Sequence, residues 1–408
     1  EKDAKVWKAF MEYIDKLTYF IEKLYELTPP KLPNIGLKEA FSMRSMLSPI
    51  RKHGTRGLVD FMRVAPMMMP ELVDEWFENE LLRAAISTAG IHHLSFGPFA
   101  AATGLNLLHQ HVHSEGVFHN INFVKGGTSE LANAVKLSTE SVNVAIQTNS
   151  KVSAINVEND VCTGVTLESG RTIQADHIVS GLDPQNTFIN LVGQSKLNPT
   201  FATQLRNIKY RGSTARIHFA LNALPEIKGV TEDQMGTVFS ASPSIEYLER
   251  TSDSVKYGRL AENPYVEFSI PSVINPEFAP DGKHVLSATV QYAPYHLRGM
   301  KWSEKLKVQL KNNVIQVLEN YAPRISSLIE SSSVLSPVDL ESQFGLTEGN
   351  LNHGEMTLDQ FIFMRPTIST AQYKSLIENL YLCGPGTHPG GGLHGANGFN
   401  AAKEILKR

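Results

Sequence analysis

The chain has 408 residues, 42% of them hydrophobic and 19% charged, with a formal net charge of −3. That length exceeds the roughly 250–300 residues at which a single core stops growing, so two domains are expected. The small net charge argues against nucleic acid as the partner, which asks for a basic stripe, and no run approaches the ~18 apolar residues of a spanning helix.

From the front, residues 5–27 place Val6, Phe10, Tyr13, Leu17, Phe20, Leu24 and Leu27 at helical spacing, and Pro29–Pro30 end the pattern. Helices are also expected over 37–64 and 71–90. Between them stands "VAPMMMPEL". Methionines there read as filler for an irregular core gap, with a pliable substrate wall or a peripheral membrane contact as the alternative. Six histidines follow: His92, His93, His109, His111, His113 and His119. Their spacing puts no metal-binding pair on one helix face, so core or interface roles are expected and no metal.

"FVKGGTSELANAV" reads as a tight Gly126–Gly127 loop entering a helix, with Thr128 or Ser129 as its N-cap. Strand signals come next: residues 144–160, a hairpin turning at Ser169–Gly170, and the run His177–Val179. A helix over 201–212, strands over 213–222, 264–274 and 284–293, and a helix over 304–321 complete the middle. The two cysteines, Cys162 and Cys383, make no C-x-x-C. They exclude a local dithiol or thiolate zinc site and read as small core residues of a reducing compartment, the cytoplasm or, alternatively, the mitochondrial matrix.

The chain closes on "LYLCGPGTHPGGGLHGANGFNAAKEIL", in which seven of the fifteen residues from Gly384 to Gly398 are glycine. A strand feeding a glycine-rich loop that opens a helix suits close approach to an anion or planar ligand, because glycine removes the Cβ and the first helical turn offers free N–H groups. The bland alternative is a loop serving tight strand–helix packing.

These residues resemble the C-terminal flavin-binding signature of the phytoene-desaturase-like branch of FAD-dependent oxidoreductases. The stretch from Lys125 to Phe188 resembles the same family's middle, and the likeness runs in register over nearly the whole chain. It implies an α/β, mixed α+β fold: an incomplete FAD-binding Rossmann-like domain and a substrate domain with a mixed or antiparallel sheet and helices. The implied segments are 1–122, a helical part of the substrate region; 123–192, part of the FAD domain; 193–374, the substrate domain; and 375–408, the C-terminal part of the FAD domain.

The resemblance further implies FAD as cofactor, beside Gly384, Pro385, Gly386, Thr387, His388, Pro389, Gly390, Gly391, Gly392, Gly395 and Ala396. Val152 matches a position whose backbone meets adenine, and Gly126 and Gly127 the glycine pair between domains. His353 and Arg365 match positions in the substrate region, where His353 could take a proton and Arg365 could contact an acidic group or the flavin. The alternatives are a histidine satisfying loop carbonyls and a structural arginine ion pair.

The family's first βαβ unit, with its G-x-G-x-x-G, has no counterpart here. The chain starts at Glu1 and is expected to be an N-terminally truncated piece, needing that unit or a homodimer partner to cover the gap. The expected activity is dehydrogenation of a hydrophobic small molecule. The alternatives are a redox-neutral flavin-dependent isomerase, or a non-enzymatic regulatory or partner-binding module that has lost FAD.

Overall fold

The computed structural model describes residues 2–31, 36, 44, 47–114, 116–118 and 123–407. His119, the side chain of His113 and residues 37–43, 45 and 46 of the expected second helix lie outside the described residues. Among the described residues three main apolar cores carry the fold, and a fourth, small cluster joins Ile91, Leu248, Tyr265 and Tyr292.

The first core is helical. In α1 (Lys2–Tyr25), Phe10, Ile14, Leu17 and Ile21 form a fully buried stripe. It packs on α2 (Leu47–Val64), which kinks at Gly54, and on α5 (Thr103–Ser114). The helix expected over 71–90 is two helices, α3 (Met69–Asp74) and α4 (Glu80–Ile91). The break has a local cause: the Asn79 side chain accepts from Leu82 N as a new N-cap, and Phe77 is drawn into the core. Met69 is fully buried and Met67 packs against the same core.

After α5, helix α6 (Thr128–Glu140) stands apart. None of its residues is buried, and Leu131, Val135 and Leu137 are exposed. Its N-cap is Gly127, with no side-chain cap; neither Thr128 nor Ser129 takes that role, because the chain enters the helix through positive φ at Gly126 and Gly127.

The second core is small and draws on distant parts of the chain. Strands β1 (Val152–Glu158), β2 (Val161–Leu167) and β3 (Thr172–Gln174) form an antiparallel sheet, with Gly170 at φ 83° in the expected hairpin. The expected strand from 144 begins only at Val152. β4 (Ile178–Ser180) pairs in parallel with β10 (Leu380–Leu382), Ile178 opposite Leu380. A π-helix over Gln185–Gly193, which the sequence pattern did not suggest, and α7 (Pro199–Arg206) pack Phe188, Phe201 and Leu205 beneath these strands.

The third core lies under one face of a five-stranded antiparallel sheet. Its strands are β5 (Thr214–Leu221), β6 (Val238–Ser240), β7 (Tyr265–Ser269), β8 (His284–Gln291) and β9 (Ile329–Leu335), in the order β6-β7-β8-β5-β9. The strand expected over 264–274 stops at Ser269, because Pro271 opens a short helical turn. Ile217, Phe219, Val266, Leu286 and Val290 alternate onto the buried face, against α8 (Glu304–Glu319) and its Val314 and Leu318. α9 (Pro337–Phe344) is capped by Ser336, and α10 (Ala396–Leu406) ends the chain.

Candidate functional site

The closing loop runs from the C-terminal end of β10 to α10, and its two halves differ. The first half is filled by the protein itself. A Cβ on Gly384 would collide with the Gly181 carbonyl, and one on Gly391 with Asn352 Oδ1. On Gly386 it would lie 2.7 Å from the Pro184 ring, and on Gly390 2.5 Å from the Met356 methyl. These glycines are bare because their own chain lies against them.

The second half opens outward. Gly392 and Gly395 are exposed, and nothing stands within 4 Å of a Cβ built on Gly395 or Gly398. Beside them Leu393 is 94% and Phe399 62% exposed. Gly395, at φ 66°, is the N-cap of α10 and offers no side chain to it. His394 serves that helix end instead: its Nδ1 accepts from Ala396 N at 3.0 Å, while Nε2 lies 3.3 Å from the Gly391 carbonyl and donates to it. Main-chain partners thus fix a neutral tautomer, and burial lowers the ring's pKa. Beyond Ala396, the N–H groups of Asn397 and Gly398 in the first turn of α10 have no intrahelical acceptor.

A polar brace holds the loop. Asn397 Nδ2 donates to the Thr387 and His388 carbonyls at 3.0 and 3.3 Å, and to the Gly390 carbonyl at 3.3 Å. Tyr373 OH donates to the His388 carbonyl at 2.7 Å. Asn400 Nδ2 bonds Tyr25 O and Tyr373 OH, tying the loop to α1. Thr387 Oγ1 donates back to the Gly384 carbonyl. His388, 0% exposed, bonds the Leu24 carbonyl through Nε2, while its Nδ1 has no partner; burial pushes its pKa down to about 4. Pro389 follows it and is buried. Thr387 and His388 therefore turn into the protein, and it is the main chain from Gly392 to Ala396 that faces out.

Arg365 is 2% exposed. Its five N–H groups all go to main-chain carbonyls: Nε to Pro385, Nη1 to Glu355 and Gln360, Nη2 to Asn352 and Gly354. Among the described residues it forms no ion pair, and burial lowers its pKa to about 10. The guanidinium binds the 352–360 loop to Pro385 and keeps no donor for a ligand.

His353 lies on that loop at φ 54°, half-buried, with Nδ1 unpartnered and its carbonyl beside Gly386. Burial lowers its pKa, the Asp183 charge opposes this and the Arg365 charge adds to it, so the ring is neutral near pH 7. The adjacent Glu355 is fully buried, accepts from Ser95 N and Oγ, and has Arg211 Nη1 3.4 Å from Oε2 without hydrogen-bond geometry. Burial raises its carboxyl above the usual range despite those partners.

The other anticipated residues lie away from this centre. Val152 opens β1 opposite Leu167. Gly126 N donates to Asn275 Oδ1 at 3.0 Å, and a Cβ on Gly127 would lie 2.7 Å from the Phe278 ring. The pair thus seats the entry to α6 on the segment between β7 and β8. Cys162 is buried, Cys383 half-buried, and both are free thiols with pKa raised by burial. Among the described residues no group of three or more ligating side chains could hold a metal, and no helix is long and apolar enough to cross a membrane.

Sequence reading missed Glu355 and the brace of Asn352, Tyr373, Asn397 and Asn400. The Asn397–Asn400 spacing, i and i+3 on α10, was the legible signal.

A short parallel strand pair feeding a glycine turn, beside a larger five-stranded antiparallel sheet, is the frame of this site. The chain belongs to the flavin containing amine oxidoreductase family, whose sequence profile matches residues 93–406. In particular, it is 31% identical over 423 aligned positions to pyridine nucleotide-disulfide oxidoreductase domain-containing protein 2 of Rattus norvegicus, covering 100% of this chain and 73% of that protein. It is 26% identical to a lycopene-forming phytoene desaturase of Paracoccus sp., covering 80% of this chain and 62% of the desaturase. The fold is shared with an oxidoreductase from Methanosarcina mazei, at a TM-score of 0.55 and 13% identity over 92% of this chain and 74% of that one.

Proposed function

We propose that this chain forms the substrate region and the ring-facing part of the cofactor site of an FAD-dependent oxidoreductase that dehydrogenates an apolar small molecule. The observation that carries the reading is the open glycine face at Gly395 and Gly398, in a chain of a flavin family. A planar ring fits a surface with no Cβ, flanked by Leu393 and Phe399 and by the free N–H groups of a helix start. Main chain from Gly392 to Ala396 would hold it there. The residues present fit the ring side of the group; the G-x-G-x-x-G spacing that does occur, Gly390–Gly395, lies in this closing loop with Gly390 against Met356 and Gly391 against Asn352, so it is assigned to the ring side and not to the pyrophosphate.

When bound, the flavin supplies hydride acceptance from a substrate C–H bond. What the protein adds is position and a place for the proton. His353, neutral and with a buried, unpartnered Nδ1 on the loop beside Gly386, is the group assigned here to take it. Arg365 acts as a positioning residue, setting His353's loop against Pro385.

The desaturase among the relatives supports an apolar substrate for this chain too. The full-length gene product, purified and scanned for the visible flavin bands, tests the proposal. Retained flavin that bleaches anaerobically with substrate supports it; a protein that stays colourless with added FAD refutes it.

A second reading, a partner-binding module without flavin, draws on α6, whose apolar Leu131, Val135 and Leu137 are covered by nothing in the described chain. The same spectrum separates the two. Consumption of an external electron acceptor separates dehydrogenation from a redox-neutral isomerisation.

A further inference from the structure

The face of the five-stranded sheet turned away from its core carries charge that the preceding sections leave unused. Register fixes its rows. Arg216 on β5 stands beside Thr289 on β8, and Thr289 beside Glu267 on β7. In the next row His218 stands between Ser287 on β8 and Ser333 on β9. Paired residues on one sheet face have Cβ atoms about 5 Å apart, within reach of a common ligand.

Arg216 donates one N–H, from Nη1, to Thr289 Oγ1. Among the described residues no other hydrogen bond and no carboxylate within 4 Å engages it. Glu267, 8% exposed, turns instead toward the helical region, where its Oε2 lies 3.8 Å from His92 Nδ1. Burial lowers the Arg216 pKa and the Glu267 charge opposes this only in part; His218 is lowered by burial and then by Arg216. A half-buried guanidinium without a counter-ion is costly, and its free donors form the planar fork that matches a carboxylate. Leu335 faces Arg216 across β9, and Ala220 pairs with Val285 one row beyond His218, so apolar side chains border the charge.

We infer that this face is a binding site for the carboxylate of an otherwise apolar acid, held by the Arg216 fork with His218 as second donor. One fixed cation beside a neutral imidazole, with Glu267 in the same row, matches one negative charge and works against a dianion. A run of contacts leads from the neighbouring row toward the glycine loop. Gln291, on β8 in the row next to Arg216, donates to the Ile91 carbonyl; Ser95 bonds Glu355; and Arg365 joins the Glu355 carbonyl to Pro385. That this acid is the substrate rests on the oxidoreductase reading; that it binds does not.

The test is a titration of the 15N-histidine-labelled chain with sodium octanoate, with octan-1-ol and inorganic phosphate as controls, followed at the His218 ring signals. Octanoate is expected to raise the His218 pKa, since a nearby anion favours the imidazolium. It should bind about tenfold or more tightly than octanol, and Arg216→Gln should remove that advantage while leaving octanol binding unchanged. If Arg216→Gln does not fold, His218→Ala, with binding read by calorimetry, is expected to weaken octanoate alone. Equal binding of octanoate and octanol, an unmoved His218 signal, or phosphate competing as well as octanoate would each overturn the inference. None of these readouts involves flavin, so failure of the flavin reading shows separately in the visible spectrum.

Discussion

Arg365 Nε donates to the Pro385 carbonyl at 2.9 Å, joining the loop of His353 to the glycine turn. The pairing is charge to main chain, and every other N–H of the guanidinium is spent the same way. Arg365→Met would leave buried carbonyls without donors, at about 1–3 kcal/mol for each one unsatisfied. A loss of at least about 3 kcal/mol in urea unfolding is expected. Arg365→Lys should recover only part of it, because an ammonium cannot reproduce the fork.

The two halves of the glycine loop respond oppositely to a methyl group. Gly391→Ala drives a Cβ into Asn352 Oδ1 and should cost roughly 1–3 kcal/mol. Gly398 lies inside α10 with nothing within 4 Å. Gly398→Ala should therefore stabilise the protein by about 0.5–1 kcal/mol through helix propensity, while weakening flavin binding by the full-length protein. Urea midpoints and flavin titration of both variants check this; unchanged flavin affinity in Gly398→Ala would place the ring elsewhere.

His388 makes stability depend on acid. Its pKa of about 4 in the fold lies below the ordinary 6.5, so the native state disfavours the imidazolium. The associated stability is present above 6.5 and is lost as pH falls from 6.5 toward 4. A shift of that size corresponds to roughly 3 kcal/mol. Stability measured across that window should fall less steeply in His388→Gln than in the parent.

His353→Gln keeps the ring's approximate volume and removes the titrating nitrogen. Anaerobic flavin reduction in the full-length protein should slow by about 10²–10⁴-fold if His353 takes the proton, with flavin retention unchanged. Because the pKa of His353 is lowered, the parent rate should persist below pH 6.5 before it declines. A variant that reduces flavin at the parent rate would leave His353 as a loop residue only.

Much of this was legible in the residues, for identifiable reasons. The α1 stripe, the strand at β5 and the helix from Glu304 follow from period alone. The break between α3 and α4 was not, because Phe77 enters a core contributed by distant helices. At the loop, glycine density announced close approach correctly, but not what approaches. Gly384 and Gly391 answer to Gly181 and Asn352, some 200 and 40 residues away in the chain, and spacing carries no record of such partners. Arg365's five carbonyls were illegible for the same reason.

The parallel pairing of Ile178–Ser180 with Leu380–Leu382 carries a kinetic corollary. Phe188 and Ile155 share a core with Leu380 and Leu382, so this part of the protein cannot close until the last strand has left the ribosome. Its nascent apolar surface waits while the residues between Leu205 and Leu380 are made, which makes it the region where chaperone engagement and misassembly should concentrate.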